Sequence, residues 1–189
     1  MTDFAVIGVV GLQGSGKTEV AKVAAKLGIP CVRMGDVVWA ECKRRGLEVN
    51  EENVGMVADE LRQTEGLATI AKRCVPLIEQ SGEGKKAVFV DGIRGIAEVK
   101  EFRDAFKGRF SVLAVWAGQR ARYRRIGTRG REDDAASLQA FHEKEVRELS
   151  WGLGEALATA DFIIVNEGTL AELYNKSSEL LNLLIGGKA

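Results

Sequence analysis

A glycine-rich segment near the amino terminus has the residue types needed to bind a polyphosphate. Gly11, Gly16, Lys17 and Thr18 fit the pattern G-x-x-x-x-G-K-[ST]. Glycines let the backbone turn tightly, so that successive N–H groups converge on phosphate oxygens. We predict that this loop binds ATP, with Lys17 on the outer phosphates and the Thr18 hydroxyl on Mg²⁺. The residues predicted to bind this cofactor are Gly11, Leu12, Gln13, Gly14, Ser15, Gly16, Lys17 and Thr18.

Two charged residues follow the apolar run "AVFV" at 87–90. Asp91 comes directly after it and Arg94 three residues later. If the run is a strand of a parallel sheet, both lie near the ligand crevice at the carboxyl ends of the strands. Asp91 is therefore predicted to orient Mg²⁺ or its waters, and Arg94 to pair with a second phosphate. The alternatives are a turn-forming aspartate and a surface arginine.

Asp36 and Arg62 are the other candidates for binding a phosphate acceptor. Asp36 follows the weakest of the apolar runs, "PCVR" at 30–33, and could instead cap the helix that follows. Arg62 stands beside Leu61 on the edge of a predicted core-facing helix, and a solvated arginine is an equally good interpretation. The predicted acceptor-side helical region spans about 35–80.

The segment 119–134, "QRARYRRIGTRGREDD", contains six arginines. A lid that closes over the transferring phosphates would use such charges, and Arg120, Arg129 and Arg131 are the predicted phosphate contacts. Arg124 and Arg125 would serve an acceptor or face water. A nucleic-acid contact and a solvated helix face are the alternatives for this segment.

Five short apolar runs alternate with helical periodicities along the chain. They are 4–10, 30–33, 87–90, 110–117 and 162–165. Strands alternating with helices predict an α/β fold whose parallel sheet is covered on both faces. The length of 189 residues suits one domain, 1–189.

Composition excludes several classes of protein. Lys+Arg and Asp+Glu both number 27, so a dedicated nucleic-acid binder is not expected. The longest apolar run is far short of about 20 residues, so no membrane span is predicted. Three cysteines without C-x-x-C spacing predict reduced thiols in a cytoplasmic protein. The single histidine, His142, excludes a histidine-based metal cluster.

The motifs resemble those of the nucleoside-monophosphate kinase group of P-loop proteins. "GLQGSGKT" resembles the phosphate loop of the group, and "GD" at 35–36 its acceptor-side motif. "VDGIRG" is similar to the D-G-F-P-R stretch of adenylate kinases, which implies that Arg94 contacts the acceptor phosphate. "RGREDD" resembles the lid motif R-x-D-D, which implies that Arg131 and Arg129 contact phosphates. The group's fold implies a five-stranded parallel sheet in the order 2-3-1-4-5, with an arginine-rich lid.

The tail "ADFIIVNEGTLAEL" resembles dephospho-coenzyme A kinases, which implies that Asn166 lies near the donor base. The whole pattern most resembles an archaeal family of dephospho-coenzyme A kinase-like or adenylate kinase-like ATPases. The chain departs from the group because "VDGIRG" lacks the proline and the bulky aromatic residue. The usual arginine after "GD" is also missing.

The combined interpretation is an ATP-dependent kinase with Lys17, Asp91, Arg94 and Arg131 as catalytic residues. Its predicted acceptor is a small nucleotide-like molecule, either a nucleoside monophosphate or dephospho-coenzyme A. The second is a hydroxyl acceptor and needs a base, for which Asp36 is the candidate. The rival interpretation is a regulatory or assembly ATPase that acts with a protein or RNA partner.

Overall fold

The computed structural model describes residues 4–129 and 138–186, without the side chains of residues 51 and 129. Its sheet is parallel, and its strand order is β2-β3-β1-β4-β5. This order and the predicted α/β class are therefore confirmed. The strands are β1 (Ala5–Val10), β2 (Cys31–Arg33), β3 (Ala87–Asp91), β4 (Phe110–Trp116) and β5 (Phe162–Val165).

Helices follow each strand and cover both faces of the sheet. Three of them, α2, α3 and α4, occupy the region 35–80 that the sequence assigned to the acceptor side. The 119–134 segment begins as a helix, α6, and residues 130–137 lie outside the described part. The helices are α1 (Lys17–Lys26), α2 (Met34–Arg44), α3 (Glu51–Glu65), α4 (Thr69–Gly82), α5 (Ile96–Phe106), α6 (Gln119–Arg129), α7 (Leu138–Ser150), α8 (Leu153–Ala158) and α9 (Leu170–Ile185).

Alternate residues of the central strands pack into two separate cores. Val6 and Val10 of β1 face the core formed with α2, α3, α4, α5 and α8. Ile7 and Val9 face the opposite core, formed with α1 and α9. A strand buried on both faces needs apolar residues at every position, which is why its sequence reads as a continuous apolar run.

The parallel register brings the ends of the strands to one edge of the sheet. Gly8 pairs with Val90, and Val10 pairs with Ala114, so the loops after β1, β3 and β4 begin side by side. The predicted capping box at the start of α9 is present, with Thr169 and Glu172 bonded reciprocally. Within the described ranges, no helix has the length and apolar character needed to cross a membrane.

Candidate active site

The glycine-rich loop joins β1 to α1, and α1 begins at Lys17. The Lys17 ammonium donates to the carbonyl oxygens of Gly11, at 2.5 Å, and Leu12, at 3.2 Å. Gly16 caps the helix with a φ of 112°. A Cβ at this position would lie 2.6 Å from Nδ2 of Asn166, so both the backbone conformation and the close approach require glycine.

Lys17 has a perturbed proton affinity. The pKa of Lys17 is lowered from 10.5 to about 8, chiefly by burial and also by the positive charge of Arg94. The negative charges of Glu148 and Asp91 act in the opposite direction. The lysine therefore lies where several charged groups from different elements meet.

A cleft of about 600 Å³ opens at the loop and is called the nucleotide cleft below. It brings together several residues that the sequence predicted as one site. Arg125 of α6 and two residues of α7, Lys144 and Glu148, also contribute to its lining. The predicted residues that line the nucleotide cleft are Gln13, Gly14, Gly16, Lys17, Thr18, Asp91 and Arg94.

A second cleft of about 570 Å³ lies next to it, between α2, α3 and the carboxyl-terminal half of α7. Its lining combines aromatic and cationic side chains: Trp39, Arg62, Arg94, Arg147 and Trp151 are among them. Four residues line both clefts, so the two cavities meet there. These shared residues are Gly92, Arg94, Lys144 and Glu148.

Arg62 lies in the second cleft, where its side chain is only 11% exposed. Its guanidinium is 5.0 Å from the ring centroid of Trp151 and 3.6 Å from Oε1 of Glu98. Burial raises the pKa of Glu98, whereas the backbone N–H of Arg94 and the charge of Arg62 oppose that rise. Arg62 is thus fixed in place at the wall of the cleft.

Arg94 is held by two carboxylates. Its Nη1 donates to Oε1 of Glu148 at 2.7 Å, and its backbone N–H donates to Oε2 of Glu98 at 2.6 Å. Gly95, which follows it, packs so closely against the backbone of Trp151 that a Cβ there would overlap the Trp151 carbonyl oxygen. The glycine at the end of "VDGIRG" therefore allows Trp151 to reach the second cleft.

Asp36 is not brought together with these residues. Its carboxylate accepts a hydrogen bond from Nε of Arg33 at 3.2 Å, and both side chains are exposed. Asp36 lies in the first turn of α2, whereas its neighbours Met34 and Gly35 line the second cleft. Neither cleft includes Asp36 in its lining.

The arginines of α6 have different environments from one turn to the next. Arg120 is exposed and does not line the nucleotide cleft, whereas Arg125 does. Arg122 is buried: its guanidinium donates to the carbonyl oxygens of Ala117 and Gln13 and pairs with Glu145. The side chain of Arg129 and all of Arg131 lie outside the described residues.

Asn166 supports the loop from behind. Its buried side-chain amide donates to the carbonyl oxygen of Ser15 at 2.7 Å. Its own carbonyl oxygen accepts a hydrogen bond from Nη2 of Arg125 at 2.8 Å. Asn166 is absent from the lining of the nucleotide cleft, so its described contacts are with the protein rather than with the space for the base.

Arg122 and Glu148 were not identified as site residues from the sequence. Both contact elements that are more than 50 residues away along the chain, since Glu148 bonds Arg94 and Arg122 bonds Gln13. A signal did exist in α7, where Glu145 interrupts an apolar stripe and is buried. A buried carboxylate usually has a charged partner, which could have directed attention to the arginines of α6.

Comparison with other proteins shows the family of this chain. The profile of the AAA domain family matches residues 10–141. A UPF0200 protein of Methanosarcina acetivorans is 42% identical over 177 residues, which are 94% of this chain and 94% of that protein. A UPF0200/UPF0201 protein of Archaeoglobus fulgidus is 45% identical over 95% of this chain, and the chain spans 55% of that longer relative.

Solved structures share the fold at low sequence identity. A dephospho-CoA kinase from Campylobacter jejuni superposes with a TM-score of 0.65 at 14% identity, over 97% of this chain and 98% of the kinase. Protein TT1252 from Thermus thermophilus gives 0.63 at 22% identity, over 95% and 97%. The chain therefore belongs to the AAA domain family and to the UPF0200 family, and its fold is that of the P-loop kinases.

Proposed function

We propose that this protein transfers the γ-phosphoryl group of ATP to a small anionic, nucleotide-like acceptor bound in the second cleft. The observation that carries the proposal is the junction of two clefts at Arg94, Lys144 and Glu148. A switch or motor needs one nucleotide site, whereas a kinase needs two sites that meet where the phosphoryl group passes. Each cleft is large enough for a small-molecule ligand.

The nucleotide cleft supplies the groups that phosphoryl transfer requires. The loop amides and the N-terminus of α1 would hold the phosphates, with Lys17 on the outer ones. Arg125 takes the place that the sequence assigned to Arg120: it lines the cleft, and its buried Nη1 has no hydrogen-bond partner among the described residues. Such a donor is suited to a phosphate oxygen.

Two oxygen-bearing side chains in this cleft suit Mg²⁺. The Thr18 hydroxyl follows the loop, and the Asp91 carboxylate stands at the end of β3. Magnesium prefers such oxygen ligands and usually keeps several waters. Thr18 would bind the ion directly and Asp91 through its waters, and the ion would neutralise charge on the β- and γ-phosphates.

The second cleft suits an acceptor that has a negative charge and a flat ring. Arg62 and Arg94 supply charge, and Trp39 and Trp151 supply aromatic surface. A nucleoside monophosphate and dephospho-coenzyme A both have these two features. The fold shared with a dephospho-CoA kinase and with a shikimate kinase from Bacteroides thetaiotaomicron, at a TM-score of 0.58, supports a phosphotransferase.

The test is a transfer assay with Mg²⁺ and γ-labelled ATP against nucleoside monophosphates and dephospho-coenzyme A. We expect label in an acceptor product with wild-type protein and a loss of several orders of magnitude in Lys17→Ala. Lys26→Ala, an exposed lysine at the other end of α1, is the matched control and should stay near wild type. ATP turnover stimulated only by RNA or by a protein would favour the rival regulatory ATPase.

A further inference from the structure

Glu148 lies at the junction of the two clefts, although nothing in the sequence pattern assigns it a role. It is in the last two turns of α7, and its side chain is only 3% exposed. It lines both the nucleotide cleft and the second cleft. A carboxylate is seldom buried so deeply unless its charge is used or paired.

The two oxygens of Glu148 have different environments. Oε1 accepts the hydrogen bond from Nη1 of Arg94 at 2.7 Å. Oε2 is buried and has no hydrogen-bond partner in the described ranges 4–129 and 138–186. A buried carboxylate oxygen without a donor is unfavourable, so Oε2 is available for a donor that a ligand brings.

The position of Glu148 is close to the end of the nucleotide cleft where the phosphoryl group leaves. Its negative charge raises the pKa of Lys17, against the effect of burial. Lys17 is the residue expected at the outer phosphates. Glu148 is therefore near Lys17 and lines the second cleft as well as the nucleotide cleft.

The other acidic side chains near the clefts line at most one of them. Asp59 lines only the second cleft, where its Oδ1 is 3.7 Å from Nη1 of Arg62, and Glu19 lines only the nucleotide cleft, where its Oε2 accepts a hydrogen bond from Tyr174. Asp36 bonds Arg33 outside both clefts. Glu98 accepts the backbone N–H of Arg94 on Oε2, and its buried Oε1 lies 3.6 Å from Nη2 of Arg62, but Glu98 lines neither cleft. Asp91 stands on the magnesium side, at the end of β3. Glu148 is the described carboxylate that lines both clefts.

We propose that Oε2 of Glu148 accepts the proton of a hydroxyl group on the acceptor, so that the acceptor is an anionic alcohol rather than a phosphate. This inference rests on the proposed function and names its acceptor class. The acceptor oxygen forms a bond to the γ-phosphorus while its proton passes to Glu148. The bond from the γ-phosphorus to the β–γ bridging oxygen breaks, and ADP leaves with that electron pair.

The charge of Glu148 also favours one class of acceptor over the other. The accepting oxygen of a nucleoside monophosphate is already anionic and has no proton to give. Two negative groups side by side in a buried site repel each other. A hydroxyl group instead donates a hydrogen bond to Oε2, while Arg62 and Arg147 remain available to the anionic part of the same molecule.

The experiment uses the full chain with Mg²⁺ and γ-labelled ATP and follows single turnovers. The hydroxyl acceptors are shikimate, gluconate, dephospho-coenzyme A and water alone, and the phosphate acceptors are AMP and CMP. An attacking water molecule also has to give up a proton. Hydrolysis of ATP without any added acceptor therefore tests the proposed role of Glu148 even if none of the organic probes is phosphorylated. The variants are Glu148→Gln, Glu148→Ala, Arg94→Gln and the exposed α7 control Glu143→Gln.

We expect Glu148→Gln to lower transfer to hydroxyl groups by about 100-fold or more, as loss of a general base does. The Kd of Mg·ATP should be unchanged, and Glu143→Gln should match wild type. Added formate, a small carboxylate, should restore at least about tenfold to Glu148→Ala. Any organic product should be a phosphate monoester. Thermal unfolding of each variant checks that the fold is retained.

Three results would overturn the inference. The first is undiminished transfer to hydroxyl groups in Glu148→Gln. The second is an equal loss of that transfer in Arg94→Gln, restored by formate to the same extent as in Glu148→Ala. The third is an acid-labile diphosphate, made from AMP or CMP, as the main product. All three leave the proposed function intact, since a nucleoside monophosphate is also one of its acceptors. Failure of the wild-type protein to bind Mg·ATP would instead refute the proposed function itself.

Discussion

The side-chain amide of Asn166 donates a hydrogen bond to the main-chain carbonyl of Ser15 at 2.7 Å. This bond joins the end of β5, late in the chain, to the phosphate loop near its beginning. The same asparagine accepts a bond from Arg125, so α6, the loop after β5 and the phosphate loop form one connected unit. The shape of the loop thus depends on residues far from the loop motif.

Replacing Asn166 by alanine should loosen the phosphate loop. The variant leaves the main-chain carbonyl oxygen of Ser15 without its donor. Such a loss costs about 1–3 kcal/mol of unfolding free energy. We expect that decrease in urea unfolding, together with weaker Mg·ATP binding by calorimetry. Asn182→Ala, an exposed asparagine of α9, is the control and should change neither quantity. Normal ATP affinity in Asn166→Ala would show that this hydrogen bond is not needed for the loop to bind ATP.

Gly16→Ala should abolish nucleotide binding. The added Cβ would lie 2.6 Å from Nδ2 of Asn166, and the φ of 112° is unfavourable for alanine. The comparison is Gly127→Ala in α6, where a Cβ has open space. That substitution should stabilise the helix by about 0.5–1 kcal/mol. Calorimetric titration with Mg·ATP measures the first effect and urea unfolding the second. Unchanged binding in Gly16→Ala would contradict this close packing.

Arg122 and Arg120 stand two residues apart, yet their loss should change stability by very different amounts. Arg122→Met leaves Oε1 of the buried Glu145 without the arginine it pairs with, although Oε2 keeps its hydrogen bond from Gln119; this should cost about 3 kcal/mol. Arg120→Met removes an exposed side chain and should change the unfolding free energy by less than about 0.5 kcal/mol. Equilibrium unfolding of the two variants measures both. Similar losses in the two would refute the structural role assigned to Arg122.

The affinity for Mg·ATP should depend on pH through Lys17. The pKa of Lys17 in the free protein is lowered to about 8, so its ammonium is charged below that pH and neutral above it. Only the charged form attracts the phosphates. The Kd should therefore be flat below pH 8 and rise above it, by at most about tenfold per pH unit. Lys17→Arg stays charged throughout and should lack this rise. Calorimetry between pH 6.5 and 9.5 provides the test.

Much of the fold and half of the site could be predicted because the signals are local. The phosphate loop is one contiguous motif, and its strand and helix neighbours fix its place. Asp91 and Arg94 follow a buried strand, so parallel topology alone brings them to the same edge of the sheet. For Arg62 the sequence left an acceptor contact and a solvated arginine equally open, and the structure has it in the lining of the second cleft.

Predictions for the remaining residues depended on the directions of side chains, which periodicity does not determine. Asp36 follows β2 as expected, but its carboxylate turns to Arg33 on the exposed side of α2. Arg120 belongs to the predicted arginine-rich segment, but the helical rotation of α6 directs Arg125 into the cleft and leaves Arg120 in solvent. The side chain of Asn166 bonds the phosphate loop, which periodicity does not reveal, and its nearness to the base stays a prediction.

The amino-acid sequence by itself determined the succession of strands and helices along the chain and the phosphate loop, since these depend on neighbours within a few residues. Only the tertiary structure decided that Glu148 meets Arg94 and that Arg122 meets Gln13. Those pairs are 54 and 109 residues apart. Their contacts exist because α6 and α7 lie against the loops that follow β1 and β3, and the charge pairs stabilise that arrangement.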